Sequence, residues 1–182
     1  MIFSTLGWIG TAVFLGNHAY LSFYTNYKPK LYFALNFLGA IALVVSSSVI
    51  SSWQAVATNF FWGMISLIAL ANISVTRRVS LSEVWIITLI AICGVTGIAS
   101  ALRDYATGMA ILGWAAGVLF CGAYLLFTTG TIKRSRFLIY NIVAAMSLMP
   151  ILYLQGNWPV FGLEIAWIAV SLFGWTQVQI NT

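Results

Sequence analysis

Apolar residues in this chain do not alternate with polar ones; they run. Seven stretches of about 20 mostly apolar residues cover roughly 5–25, 31–50, 54–73, 83–102, 109–128, 135–154 and 159–178, with short polar stretches between them. At about 1.5 Å per residue, each is long enough to cross the ~30 Å hydrocarbon core of a bilayer. The pattern predicts seven spanning helices, each antiparallel to the next because the loops are short. Composition agrees. Of 182 residues, 62% are apolar and 6% are charged, against roughly 25% charged in a soluble domain. So few charges cannot coat a water-facing surface, and the lipid bilayer is the expected solvent. The fold class expected is an all-α polytopic membrane protein.

The net charge of +5 changes the picture only in topology. Lys28 and Lys30 lie between the first two runs, Arg77 and Arg78 after the third, and Lys133, Arg134 and Arg136 after the fifth. Seven crossings put these loops on one side, with Arg103 alone on the other. The positive-inside rule then places the N-terminus outside and the C-terminus inside. Nucleic acid is not an expected partner. The opening MIFSTLGW has no positive n-region and reads as the start of a first span that is kept. Cys93 and Cys121 lie within apolar runs and read as small packing residues.

The polar positions inside the runs carry a second pattern. Trp53, Asn59, Trp62, Ser66 and Leu67 recur 105 residues later as Trp158, Glu164, Trp167, Ser171 and Leu172. Asn36 meets Asn141 at the same shift; Leu6-Gly7-Trp8 meets Leu112-Gly113-Trp114 at 106, as does Gly16 with Gly122. The register predicts a duplicated three-helix unit: residues 1–78 and 106–182 as repeats, and 79–105 as an unpaired linker helix. An odd helix between two trios makes them parallel, related by an axis along the membrane normal. Gly113 and Gly117, matched by Gly7 and Thr11, would allow close helix approach.

Local signals are fewer. Ser80 and Glu83 fit a capping box at the fourth helix, which makes Glu83 a cap. Pro159 suits a first turn, Pro29 a loop, and Pro150 a kink or an end to the sixth helix. Trp8, Trp53, Trp114 and Trp158 near one boundary, with Trp85 and Trp175 near the other, form the usual interfacial belt.

This layout resembles the SWEET and PQ-loop transporter superfamily. It is a three-plus-one-plus-three chain, N-out and C-in, with an Asn on the third helix of a repeat. Nicotinamide riboside transporters of the PnuC type share it, and small bacterial inner-membrane proteins are related. The resemblance implies an Asn on each third helix facing a central solute pocket. Carried over, those positions are Asn59 and, with an acid in place of the amide, Glu164. The proline and glutamine motif of the first helix, a hinge in those transporters, is absent from WIGTAVFLGNHAY and WAAGVLFCGAY.

Every polar group in hydrocarbon needs a reason. Glu164, about 9 Å into the last span, needs a partner or a proton there. It reads as a substrate or proton site, or else as a structural acid. His18, the one histidine, lies with Asn17 in span one; its counterpart is Tyr124. It reads as a bonded core histidine or as a relay beside Glu164, and a single histidine does not make a metal site. Asn36 and Asn141 read as glue between helices. Trp62 and Trp167 could floor a pocket or simply pack. No cofactor is expected, and no nucleophile, paired carboxylate or phosphate loop suggests an enzyme. Two functions remain. One is a transporter or facilitator for a small polar solute, uncharged or cationic. The other is a non-transporting subunit or assembly factor of a larger membrane complex, favoured by twelve Phe, eight Trp and eight Tyr. Either reading leaves room for a homo-oligomer.

Overall fold

The computed structural model describes residues 2–24, 26–71 and 82–180. They form seven helices: α1 (Ile2–Phe23), α2 (Pro29–Val49), α3 (Trp53–Leu70), α4 (Glu83–Ala101), α5 (Tyr105–Thr128), α6 (Arg134–Leu154) and α7 (Trp158–Ile180). Six of them, α2 to α7, are long and apolar enough to cross a membrane. The exception, α1, has 22 residues, and Thr11, Asn17 and His18 dilute its apolar content. Arg77, Arg78 and Ser80 lie outside the described residues.

The boundaries have local causes. Pro29 opens α2, where its missing N–H costs nothing. Asp104 caps α5, accepting from Ala106 N at 3.1 Å and from the Thr107 hydroxyl. Gly130 and Gly156 take left-handed φ values of 72° and 65° in the turns after α5 and α6. One expectation is corrected: Pro29 is the first residue of α2 and not a loop residue. Helix α6 runs through Pro150 to Leu154. For α4, the Ser80 half of the expected capping box lies outside the described residues. The helix begins at Glu83 with Ser82 at the cap position and no side-chain cap bond. The Glu83 carboxylate faces α6, taking Arg136 at 2.8 Å and the Tyr140 hydroxyl.

Six helices close a ring. Neighbours run α1–α2–α3–α5–α6–α7 and back to α1, while α4 packs outside against α5. Exchanging α1, α2, α3 with α5, α6, α7 maps this neighbour set onto itself. Close approaches obey the same exchange. A Cβ on Gly7 would meet Pro159 and Ser46; one on Gly113 would meet Gln54 and Ile151, the positions 105 residues away from those two. At Gly113 the gap to Ile151 Cγ2 is 2.5 Å, so only glycine lets α5 and α6 lie this close.

Two layers of hydrogen bonds tie the trios together. At the end formed by the N-termini of α3 and α7, Ser52 Oγ donates to Gln155 Oε1 (2.5 Å) and Gln155 Nε2 to Gln54 Oε1 (2.8 Å). Beside them Asn157 Nδ2 donates to Ser47 Oγ (3.1 Å) and Thr11 Oγ1 to the Pro159 carbonyl (2.8 Å). The second layer lies toward the basic loops and belongs to the site below.

Candidate functional site

At the centre of the ring is a cavity of about 20 Å³, the room one water needs. Its walls come in pairs 105 or 106 positions apart: Phe14 with Phe120, Trp62 with Trp167, Asn59 with Glu164, and Thr58 with Leu163. Leu148 completes it. Helical spacing explains the grouping, because positions i and i+3 on α3 and α7 bring Asn59 over Trp62 and Glu164 over Trp167. The four rings pack against one another along the cavity wall. Phe14 lies 6.1 Å from Trp62 and 6.0 Å from Trp167; Phe120 lies 5.9 Å and 6.5 Å from the same two. The indoles meet edge to face at 5.7 Å.

Polar atoms around this cavity are poorly matched. Glu164 is buried, its Oε2 has no hydrogen-bond partner, and among the described residues no cation pairs with it. Thr58 Oγ1 and Trp62 Nε1 are likewise buried without partners. Asn59 donates to the Ala55 carbonyl at 2.8 Å, which leaves its oxygen to accept.

The second tie layer flanks the cavity toward the basic loops. The His18 ring stacks on Trp167 at 3.8 Å and 8°, and its Nε2 is hydrogen-bonded to Ser171 Oγ at 2.8 Å. The Tyr124 ring stacks on Trp62 at 4.3 Å and 11°, and its hydroxyl meets Ser66 Oγ at 2.9 Å. Ser66 donates to the Trp62 carbonyl (2.8 Å), so Tyr124 is the donor of that pair. Asn36 Nδ2 donates to the Tyr124 hydroxyl (3.0 Å), and Asn17 Nδ2 to Asn36 Oδ1 and the Tyr32 carbonyl (both 2.9 Å). Asn141 accepts from Trp167 Nε1 at 3.0 Å. Both asparagines therefore tie helices together.

One protein family model matches the chain, over residues 3–78 and 109–181. The chain belongs to that family. The family is an uncharacterised one, and its two matched segments cover α1–α3 and α5–α7. No curated protein and no solved structure matches the chain.

Of the seven residues singled out from the sequence, Glu164, Asn59, Trp62 and Trp167 line the cavity together. The other three do not. His18 and Tyr124 lie behind the indoles, and Asn17 is a further step away through Asn36. A direct relay between His18 and Glu164 is thus interrupted by Trp167. Sequence reasoning missed Phe14, Phe120 and Thr58. The repeat register held the signal for the first two, since Phe14 and Phe120 stand 106 positions apart.

Proposed function

We propose that this family member is a seven-span transporter or facilitator for a small polar solute, built from two parallel three-helix repeats, with its N-terminus outside and its site between the repeats. One observation carries the reading: the cavity at the meeting of the two trios holds an unpartnered carboxylate, Glu164, opposite its counterpart Asn59. A buried acid with no partner is costly in a membrane and marks function more often than structure. The exchange of helix neighbours and the two matched segments support the repeat. The charge of the loops supports the orientation. A cavity this small describes a closed state, since ligand pockets usually measure ~300–1,000 Å³.

Uptake into proteoliposomes tests the proposal directly. Wild type is expected to move at least one solute from a panel of amines, sugars, nucleosides and amino acids. Glu164→Gln should reduce that flux by more than about tenfold, and Asn59→Ala by less. No flux of any panel member would overturn it.

The subunit reading draws on α4, which packs mainly on α5 at the outside of the ring and exposes Val84, Trp85, Ile92, Val95 and Ile98. Gentle solubilisation decides between the two. A stable heteromeric complex favours a subunit, and a lone chain or homo-oligomer favours a transporter.

A further inference from the structure

We infer that the central cavity is a site for a primary ammonium group, and that the carbon chain of such an amine occupies a neighbouring groove. The inference rests on reading this cavity as the solute site and adds the chemical class of the solute.

Three features select the head group. The cluster of Phe14, Trp62, Phe120 and Trp167 presents aromatic surface on several sides, and aromatic faces attract cations, most strongly when water is excluded. Glu164 Oε2 lacks a partner, and a buried carboxylate is stabilised by a cation that donates hydrogen bonds to it. Size completes the choice. About 20 Å³ holds a water-sized –NH3+ and excludes a tetraalkylammonium. An ammonium has three N–H donors. Glu164 Oε2, Thr58 Oγ1 and the Asn59 oxygen are the acceptors in the wall. A hard metal cation is poorly served, because it takes about six or more oxygen ligands.

The chain has its own place. An apolar groove of about 380 Å³ lies where α3, α4 and α5 meet, walled by Phe61, Ile86, Trp114, Gly117 and Cys121. Thr58 lines both this groove and the central cavity, so it is their common wall. The equivalent seam, α1 against α7, is built differently. Where α5 has Gly117, α1 has Thr11, whose hydroxyl is bonded to Pro159. A Cβ at Gly117 would lie 2.7 Å from Thr58 Oγ1. With no side chain at Gly117, the Thr58 hydroxyl occupies the space a Cβ would take, so on this side Thr58 stands between the cavity and the groove. Ile86 of α4, the helix without a counterpart, forms the outer wall.

Calorimetry on the purified full chain in detergent tests the site without requiring transport. The probes are the chlorides of ammonium, n-butylammonium, tetramethylammonium and sodium. Saturable binding is expected for ammonium, tighter for n-butylammonium, and absent for the other two. Glu164→Gln, close to isosteric, should weaken n-butylammonium by more than about tenfold. Phe120→Leu, which removes one ring, should weaken it by about threefold to thirtyfold. Val118→Trp, which fills the groove and touches no part of the cavity lining, should erase the preference for the longer amine while leaving ammonium bound. Equal binding of sodium, or full affinity in Glu164→Gln, overturns the ammonium site. Equal affinity for the two amines overturns the groove. Ammonium binding without uptake of any solute would sink the transporter reading and leave the site intact. Uptake of an uncharged solute without amine binding does the reverse.

Discussion

On one flank of the cavity an imidazole lies flat on Trp167; on the other a phenol lies flat on Trp62. The geometries nearly coincide. Each ring reaches a serine, Ser171 or Ser66, at 2.8 or 2.9 Å, and each meets an edge-on ring, Phe137 or Tyr32, at 6.4 Å. The bonding does not coincide. Tyr124 is held by both Asn36 and Ser66, whereas His18 leaves Nδ1 without a partner. Trp167 donates to Asn141, while the Trp62 N–H is unpartnered. Asn59 is bonded to Ala55, and Glu164 Oε2 to nothing. The two flanks thus share a shape and differ in hydrogen bonding. A difference of that kind is expected if one flank carries chemistry and the other supports it.

The comparison can be broken at several points, the largest first. Gly39 packs on Phe14: a Cβ there would sit 2.3 Å from the ring, whereas its counterpart Ala144 already carries one. Gly39→Ala should therefore destabilise by about 1–3 kcal/mol through overpacking, and Ala144→Gly by about 1 kcal/mol or less. Unfolding midpoints in detergent would show it, and equal shifts would refute the asymmetry. Next, Tyr124→Phe orphans the Asn36 amide and should cost about 1–2 kcal/mol. His18→Phe loses one bond and should cost nearer 0.6 kcal/mol. Third, Trp167→Phe should cost more than Trp62→Phe by about 0.6 kcal/mol, because only the first removes an N–H bond. The reverse order would mean that Trp62 Nε1 has a partner in the membrane.

The smallest effect concerns Asp104, outside the spanning segments. The Thr107 hydroxyl and then the backbone N–H groups of the first turn hold its carboxyl below the usual aspartate value. Its contribution to α5 is therefore present above the ordinary aspartate range and lost as pH falls through the lowered value. In an acid titration followed by circular dichroism, Asp104→Asn should flatten a shallow step that wild type shows. No such step in wild type would count against the cap.

Much of the fold was legible because membrane helices announce themselves by length. Span edges read from hydropathy agree with the helices to within about four residues, and the pair Asn59 and Glu164, singled out by the acid within an apolar run, by repeat register and by the resemblance, lines one cavity. Glu83 was placed at a helix start from its short-range pattern; its pairing with Arg136 and Tyr140 on α6 is long-range and was not legible there. His18 was grouped with Glu164 because both are polar and buried. One dimension does not reveal that an indole lies between them. The groove at Thr58 was invisible for a related reason. It arises from what Gly117 lacks and from where α4 rests, and neither is a local property of the sequence.

The two layers of hydrogen bonds between the trios bracket the cavity, so the chamber is barred at both ends at once. Interhelical bonds in membranes average only about 0.6 kcal/mol each, so the four that join the trios at one end and the three at the other contribute only about 2 kcal/mol apiece. No residue belongs to both layers, so the hydrogen bonds at one end can part without breaking those at the other.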